Sequence, residues 1–160
     1  MTRRPHLSMT RTLPVLFAFA LSSAGAHGQD SGLTSFENIS VGTAERADVS
    51  RLIDAGVVNL GDAGGMVVTI GGELRGRAER NGSIGVLFLP ESPFFNAALR
   101  NRKILLSVSD AEVAVAAGDS SYFLSKPKRL EAGFTQYHLY LFNSTGATAT
   151  VNVYVHAVKN

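Results

Sequence analysis

The 160-residue chain has no cysteine and no tryptophan. Without cysteine there can be no disulfide, no thiolate nucleophile, no thiolate metal site and no acylated lipoprotein anchor. A domain of this size without covalent staples must hold itself by its core or by association. The missing tryptophan removes the largest platform on which a sugar ring could stack. No Asp-x-Asp-x-Asp-Gly calcium loop occurs. Beyond residue 26 no apolar run approaches the length of a membrane-spanning helix. Charged residues are only 18% of the chain and nearly balanced, at a formal +2.

That small surplus sits at one end. Arg3, Arg4 and Arg11 precede an apolar run from Leu13 to Leu21, and Ala24-Gly25-Ala26 fits the small-x-small cleavage pattern. Residues 1–26 are therefore expected to be a cleavable export signal of bacterial style, with Met9 as an alternative start. The stretch from Thr2 to Leu7 loosely resembles the twin-arginine export pattern, but His6 stands where a Phe is usual, so the general route is preferred. Removing this leader leaves twelve basic residues against thirteen acidic ones. Nucleic acid thereby loses its electrostatic basis as a partner. The expected location is the periplasm, the cell surface or the extracellular space.

Residues 27–42 are polar and rich in Gly and Ser at first, and are expected to be a flexible lead-in. Residues 43–160 are expected to form one domain. Thr43 to Gly56 has the spacing of a short helix, with Thr43 as N-cap and Gly56 as its stop; strand pairing is the alternative. The pattern is then β. Short branched-residue runs lie between glycines at 56–61 and 64–72. "ELRGRAER", Asn81-Gly82 and "SIGVLFLP" read as a hairpin with a type I′ turn, Arg80 opposite Ser83. Ser92 and Pro93 open a second short helix that would carry Phe94, Phe95, Ala98 and Leu99 to one end of the core. Strands are expected at 103–109, 111–117 and 121–125, followed by a basic connection over 126–133.

The last expected hairpin, residues 137–158, is the most regular. Asn143-Ser144-Thr145-Gly146 suits a type I turn with Gly146 in the left-handed position after it. Leu139 would then face Val151, and Tyr137 would face Val153. Odd positions (Tyr137, Leu139, Leu141, Val151, Val153, Val155) form the core side. Even positions present His138, Tyr140, Phe142, Asn152, Tyr154 and His156 as a candidate binding face. Turn signals at intervals of about ten residues indicate an all-β fold. The expected architecture is an antiparallel sandwich, jelly-roll or Ig-like, of seven to nine strands with one or two short helices.

Gly118-Asp119-Ser120, directly after an apolar strand, resembles the nucleophile block of the GDSL (SGNH) hydrolases, which implies Ser120 as nucleophile. That chemistry needs a base oriented by a carboxylate. The family's Asp-x-x-His partner is missing, since Thr135 and Val153 stand three residues before His138 and His156. A polar β-turn explains the three residues. His138 and His156 also lack a third ligand for a metal on their own strands, so no metal and no cofactor is expected. Lys126, Lys128 and Arg129, with Arg100, Arg102 and Lys103, read as solvated loops. The chain is thus expected to be a non-enzymatic structural or adhesion-type module that binds a protein partner or another copy. The alternative is a carbohydrate or small ligand held on the aromatic face.

Overall fold

A computed structural model describes residues 32–46, 48–93 and 109–159. The export signal, the start of the lead-in and the helix expected after Ser92 lie outside those residues. Among the described residues nine strands follow one another: β1 Leu33–Val41, β2 Ile53–Asn59, β3 Gly65–Arg75, β4 Gly82–Pro90, β5 Ser109–Val115, β6 Tyr122–Leu124, β7 Lys128–Glu131, β8 Gln136–Asn143 and β9 Thr148–Val158. Sheet A runs β1-β9-β3, with β6 and β7 sharing the far edge of β3. Sheet B runs β2-β8-β4-β5. Every pairing is antiparallel.

Taking β6 and β7 as one interrupted strand, the chain changes sheet at every step except β4 to β5. Two four-stranded sheets connected in this order are a jelly roll. The expected antiparallel sandwich is therefore present, in the first of its two proposed topologies. Its core lies between the sheets. Val68, Ile70 and Leu74 of β3 and Val151, Val153 and Val155 of β9 meet Ile84, Val86 and Phe88 of β4 and Leu139 and Leu141 of β8, all buried. Each such side chain contributes about 1.5–3 kcal/mol by leaving water. A core this continuous answers how the fold dispenses with disulfides.

Five local expectations are corrected. The segment 43–56 is not a helix. Ala44 exchanges both backbone hydrogen bonds with Asn143 at 2.7 and 2.8 Å, the helical turn among the described residues of this segment is a single 3-10 turn over Val49–Arg51, and β2 begins at Ile53. Gly56, expected as a helix stop, instead forms a bulge within β2 at φ 111°. From Leu33 on, the expected flexible lead-in is β1, paired with β9. The basic connection at 126–133 contains β7.

The fourth correction concerns Asn81-Gly82. β3 and β4 do not pair: they lie in different sheets, β3 beside β9 and β4 between β8 and β5. A type I′ turn needs positive φ at both central residues, and neither Asn81 nor Gly82 has it. The connection bonds to neighbouring loops instead. Ala78 N–H donates to Asp119 O at 2.7 Å and Glu79 N–H to Thr145 O at 2.9 Å. Gly82 is small for another reason, since a Cβ there would lie 2.6 Å from Ser144 O.

The fifth correction is the terminal hairpin. β8 belongs to sheet B and β9 to sheet A, so Leu139 pairs with Gly56 and Phe88, not with Val151. The turn chemistry itself is as expected. Gly146 has φ 87°, and Asn143 Oδ1 accepts from Thr145 N at 3.1 Å and from Thr145 Oγ1 at 2.7 Å. Asn143 Nδ2 donates to Ala147 O at 2.7 Å and Val41 O at 3.2 Å. The buried asparagine therefore ties the turn to the end of β1 and carries the chain across the core rather than back along itself.

Candidate functional site

Crossing between sheets leaves the odd positions facing each other across the core, as the alternation requires. It sends the even positions in opposite directions. His138, Tyr140 and Phe142 lie on the outer face of sheet B. Asn152, Tyr154 and His156 lie on the outer face of sheet A. The six residues expected to form one surface form two.

Sheet B closes its half. Phe142 is 1% exposed, although it points away from the core. Its ring fills the space above Gly85, where a Cβ would stand 2.5 Å from Phe142 Cζ. Leu87 and Leu89 on the same outer side are also buried, apart from the main core cluster. The loop between β1 and β2 reaches across this face, for Arg46 pairs with Asp110 on β5. At the other end Tyr140 stacks on His138 with ring centroids 5.0 Å apart and planes at 24°. His138 Nε2 lies 2.8 and 2.9 Å from the two oxygens of Asp54, and Nδ1 lies 3.0 Å from Glu91 Oε2. Burial raises the pKa of the Tyr140 phenol, and the negative charges of Asp54 and then Glu91 raise it further. The polar groups of this face are thus engaged with one another.

Asp54 and Glu91 were not legible as partners of His138, because neither lies on β8 or β9. They arrive from β2 and from just past the end of β4 through pairings that no alternation pattern reveals. Among the described residues, no group of three or more His, Asp or Glu side chains is arranged to hold a metal. Ser120 lies in the exposed turn after β5. Asp119 Oδ2 accepts from Ala116 N at 3.1 Å there, and Gly118 supplies the left-handed φ of 92°. Of the expected basic group, Lys128 pairs with Asp110 at 2.9 Å, while Arg100, Arg102 and Lys103 lie outside the described residues.

Sheet A leaves its half open. Asn152 of β9 stands beside Gly71 of β3, and Leu124 of β6 stands on the other side of Gly71. One pair along, Thr150, Glu73 and Tyr122 make a second row. Leu124 leans over Gly71, and a groove of about 420 Å³ runs beside it over the Gly71-Gly72 backbone, bounded by Tyr154, Asn152, Glu73, Tyr122 and Leu124. Tyr122 is 80% exposed and Leu124 72%. Asn152 is held in place, its Oδ1 accepting from Asn38 N at 2.7 Å. Asn38 makes that bond from a bulge in β1 at φ 58°. Thr150 Oγ1 accepts from Arg75 Nε at 2.8 Å. The Glu73 carboxylate, the Asn152 amide N–H groups and the Tyr122 and Tyr154 hydroxyls have no hydrogen-bond partner among the described residues. A glycine pair inside a strand signals a close approach or a missing wall, and Gly71-Gly72 is that signal in the sequence. A second groove, of about 310 Å³, lies near Gly32 and Asn59, and its charged groups Asp62 and Lys159 face each other at 3.8 Å.

No known protein family matches the sequence, and no curated protein matches it. Among solved structures, a chain of Triatoma virus shares 9% identity over 96% of this chain and 77% of that one, with a TM-score of 0.40. A chain of deformed wing virus, a honeybee pathogen, shares 12% identity over 98% of this chain and 62% of that one, at a TM-score of 0.39. A chain of the Triatoma virus empty capsid shares 8% identity over 79% of this chain and 84% of that one, at 0.36. Likeness at this level says nothing of ancestry or role; the jelly roll rests on the strand order itself.

Proposed function

We propose that this chain is a non-enzymatic interaction module, exported to the periplasm, the cell surface or the extracellular space, and that it meets its partner with the outer face of sheet A. The observation that carries the reading is the set of unengaged polar groups beside exposed Tyr122 and Leu124 on that face. Large exposed apolar side chains next to oriented donors and acceptors are what a recognition surface needs.

The sheet edges are unsuited to the same task. An open edge invites strand addition unless it is bulged, short or charged. β1 carries the Asn38 bulge and β2 the Gly56 bulge. β6 and β7 are three and four residues long, and β5 carries Asp110 in ion pairs with Arg46 and Lys128. β1 already pairs with β9 in its own chain, which removes it as a strand to donate to a neighbour. Association through the face rather than the edge follows. A protein, a second copy of the chain and a surface glycan are all partners of this kind.

The test uses labelled purified protein applied to envelope preparations of cells that produce it. Retention should fall at least about tenfold, equivalent to 1.4 kcal/mol, in a Tyr122→Asp, Leu124→Asp double variant. A Val57→Asp variant on sheet B should be retained as well as the unaltered protein. Equal retention of all three, or loss only in the sheet B variant, refutes the reading.

A further inference from the structure

We infer that the groove over Gly71 is a site for one uncharged or cationic sugar unit of a glycan. This rests on the reading that the outer face of sheet A is the working surface, and it names what that surface takes.

The width is set by the fold. β9 and β6 flank β3, so Tyr154 and Asn152 on one side stand two strand spacings, roughly 10 Å, from Leu124 and Tyr122 on the other. Gly71 lies between them at floor level. A Cβ there would come within 3.1 Å of Leu124 Cδ1, so any larger residue would push the Leu124 side chain out into the groove a ring would use. Six-membered sugar rings present apolar C–H faces and a rim of hydroxyls. The C–H faces match tyrosine rings, and a rim of hydroxyls matches fixed amides and carboxylates. Both kinds of wall are here.

Polar groups on the rim are held ready. Asn152 commits Oδ1 to Asn38 N, which orients its amide N–H groups and leaves them free to donate. Glu73 offers two acceptor oxygens with no partner among the described residues. Binding therefore does not first break contacts within the protein, which keeps the ordering cost low. Charge narrows the ligand class: among the described residues Glu73 is the only charged one lining the groove, and Arg75 at its edge is engaged through Nε with Thr150 Oγ1 at 2.8 Å. Sulfated and uronate sugars would place an anion against it unpaired, whereas a neutral or amino sugar would not.

The experiment is an immobilised panel of neutral hexose oligomers, N-acetylhexosamine oligomers, glucosamine oligomers, and sulfated and uronate polymers, probed with the purified protein. Binding is expected in the neutral or the cationic set. Gly71→Val, Tyr154→Ala and Tyr122→Ala should each weaken it about tenfold or more, or 1.4 kcal/mol, while Val57→Ser on sheet B leaves it unchanged. Glu73→Gln should weaken the glucosamine oligomers more than the neutral ones. Matched thermal unfolding curves separate lost binding from lost fold, and Tyr122→Ala, at an exposed position, keeps the test valid if Gly71→Val fails to fold. No binding in the neutral and cationic sets, preference for the anionic polymers, or indifference to the groove variants overturns the inference. Should sugars fail while envelope retention still depends on Tyr122 and Leu124, the partner is a protein and the face reading stands. Should retention also ignore those residues, both fail.

Discussion

The two outer faces of this sandwich are built from similar residue types and end in opposite states. Sheet B carries His138, Tyr140 and Phe142, and sheet A carries Asn152, Tyr154 and His156. On sheet B the ring of Phe142 is buried above Gly85, and His138 sits between Asp54 and Glu91. On sheet A Leu124 leans over Gly71, and Glu73, Tyr122 and Tyr154 around the open groove beside it have no hydrogen-bond partner among the described residues. Both faces have a glycine floor. What differs is the side chain that the neighbouring strand brings over it, a buried ring on sheet B and the exposed Leu124 on sheet A. An aromatic residue beside Gly85 makes an interior, and a row of edge residues beside Gly71 makes a surface.

Truncating one aromatic on each face puts that contrast under most strain. Phe142→Ala should destabilise the fold by about 3–5 kcal/mol, as for a large aromatic lost from a filled interior. Tyr154→Ala should cost less than about 1 kcal/mol, as for a surface change. Urea unfolding of both variants measures the two numbers side by side. Similar losses would mean that the two faces are not different in kind.

The histidines give a smaller version of the same comparison. Replacing His138 by Gln removes the ring between Asp54 and Glu91 and leaves two carboxylates facing a weaker donor. Asp54 is 55% exposed and Glu91 33%, so water screens the pair and the expected loss is only about 1 kcal/mol. In a buffer acidic enough to protonate His138 the loss should shrink on adding salt, because the charges are partly solvated. His156→Gln on the exposed end of β9 should stay within about 0.5 kcal/mol and be indifferent to salt. Denaturation at low and high ionic strength reads both.

How far these faces could be read from the sequence depends on what alternation encodes. A period of two states which side chains turn inward, and Tyr137, Leu139, Leu141, Val151, Val153 and Val155 are all buried as it requires. It does not state which strand lies alongside. The same odd-even split is satisfied by two strands in one sheet or by two strands facing across a core. Asn143 and Gly146 formed the expected turn in either case, so local turn chemistry did not discriminate. Asn81-Gly82 misled for a related reason: its glycine serves the approach of Ser144 instead of a left-handed turn. Asp54, Glu91, Tyr122 and Leu124 reach the two faces through pairings far apart in the chain. The hidden signal was Gly71-Gly72, read as the end of a strand although β3 continues to Arg75.

The smallest difference expected concerns protons. Tyr140 has its pKa raised from 10.0, by burial first and by the charges of Asp54 and Glu91 next. Its neutral form is therefore favoured in the folded state relative to the unfolded one. The resulting stability is fully present below pH 10.0 and is lost as pH rises beyond it, because the unfolded chain then releases a proton that the folded chain retains. A Tyr140→Phe variant has no such proton. Its unfolding free energy, subtracted from that of the unaltered protein at each pH, should leave a difference that is flat up to pH 10.0 and then moves in favour of the variant. Asp54→Asn in both backgrounds should reduce that movement without abolishing it, since burial is the larger cause. A difference that stays flat to the alkaline end would show that the Tyr140 hydroxyl feels neither the covering of sheet B nor its carboxylates.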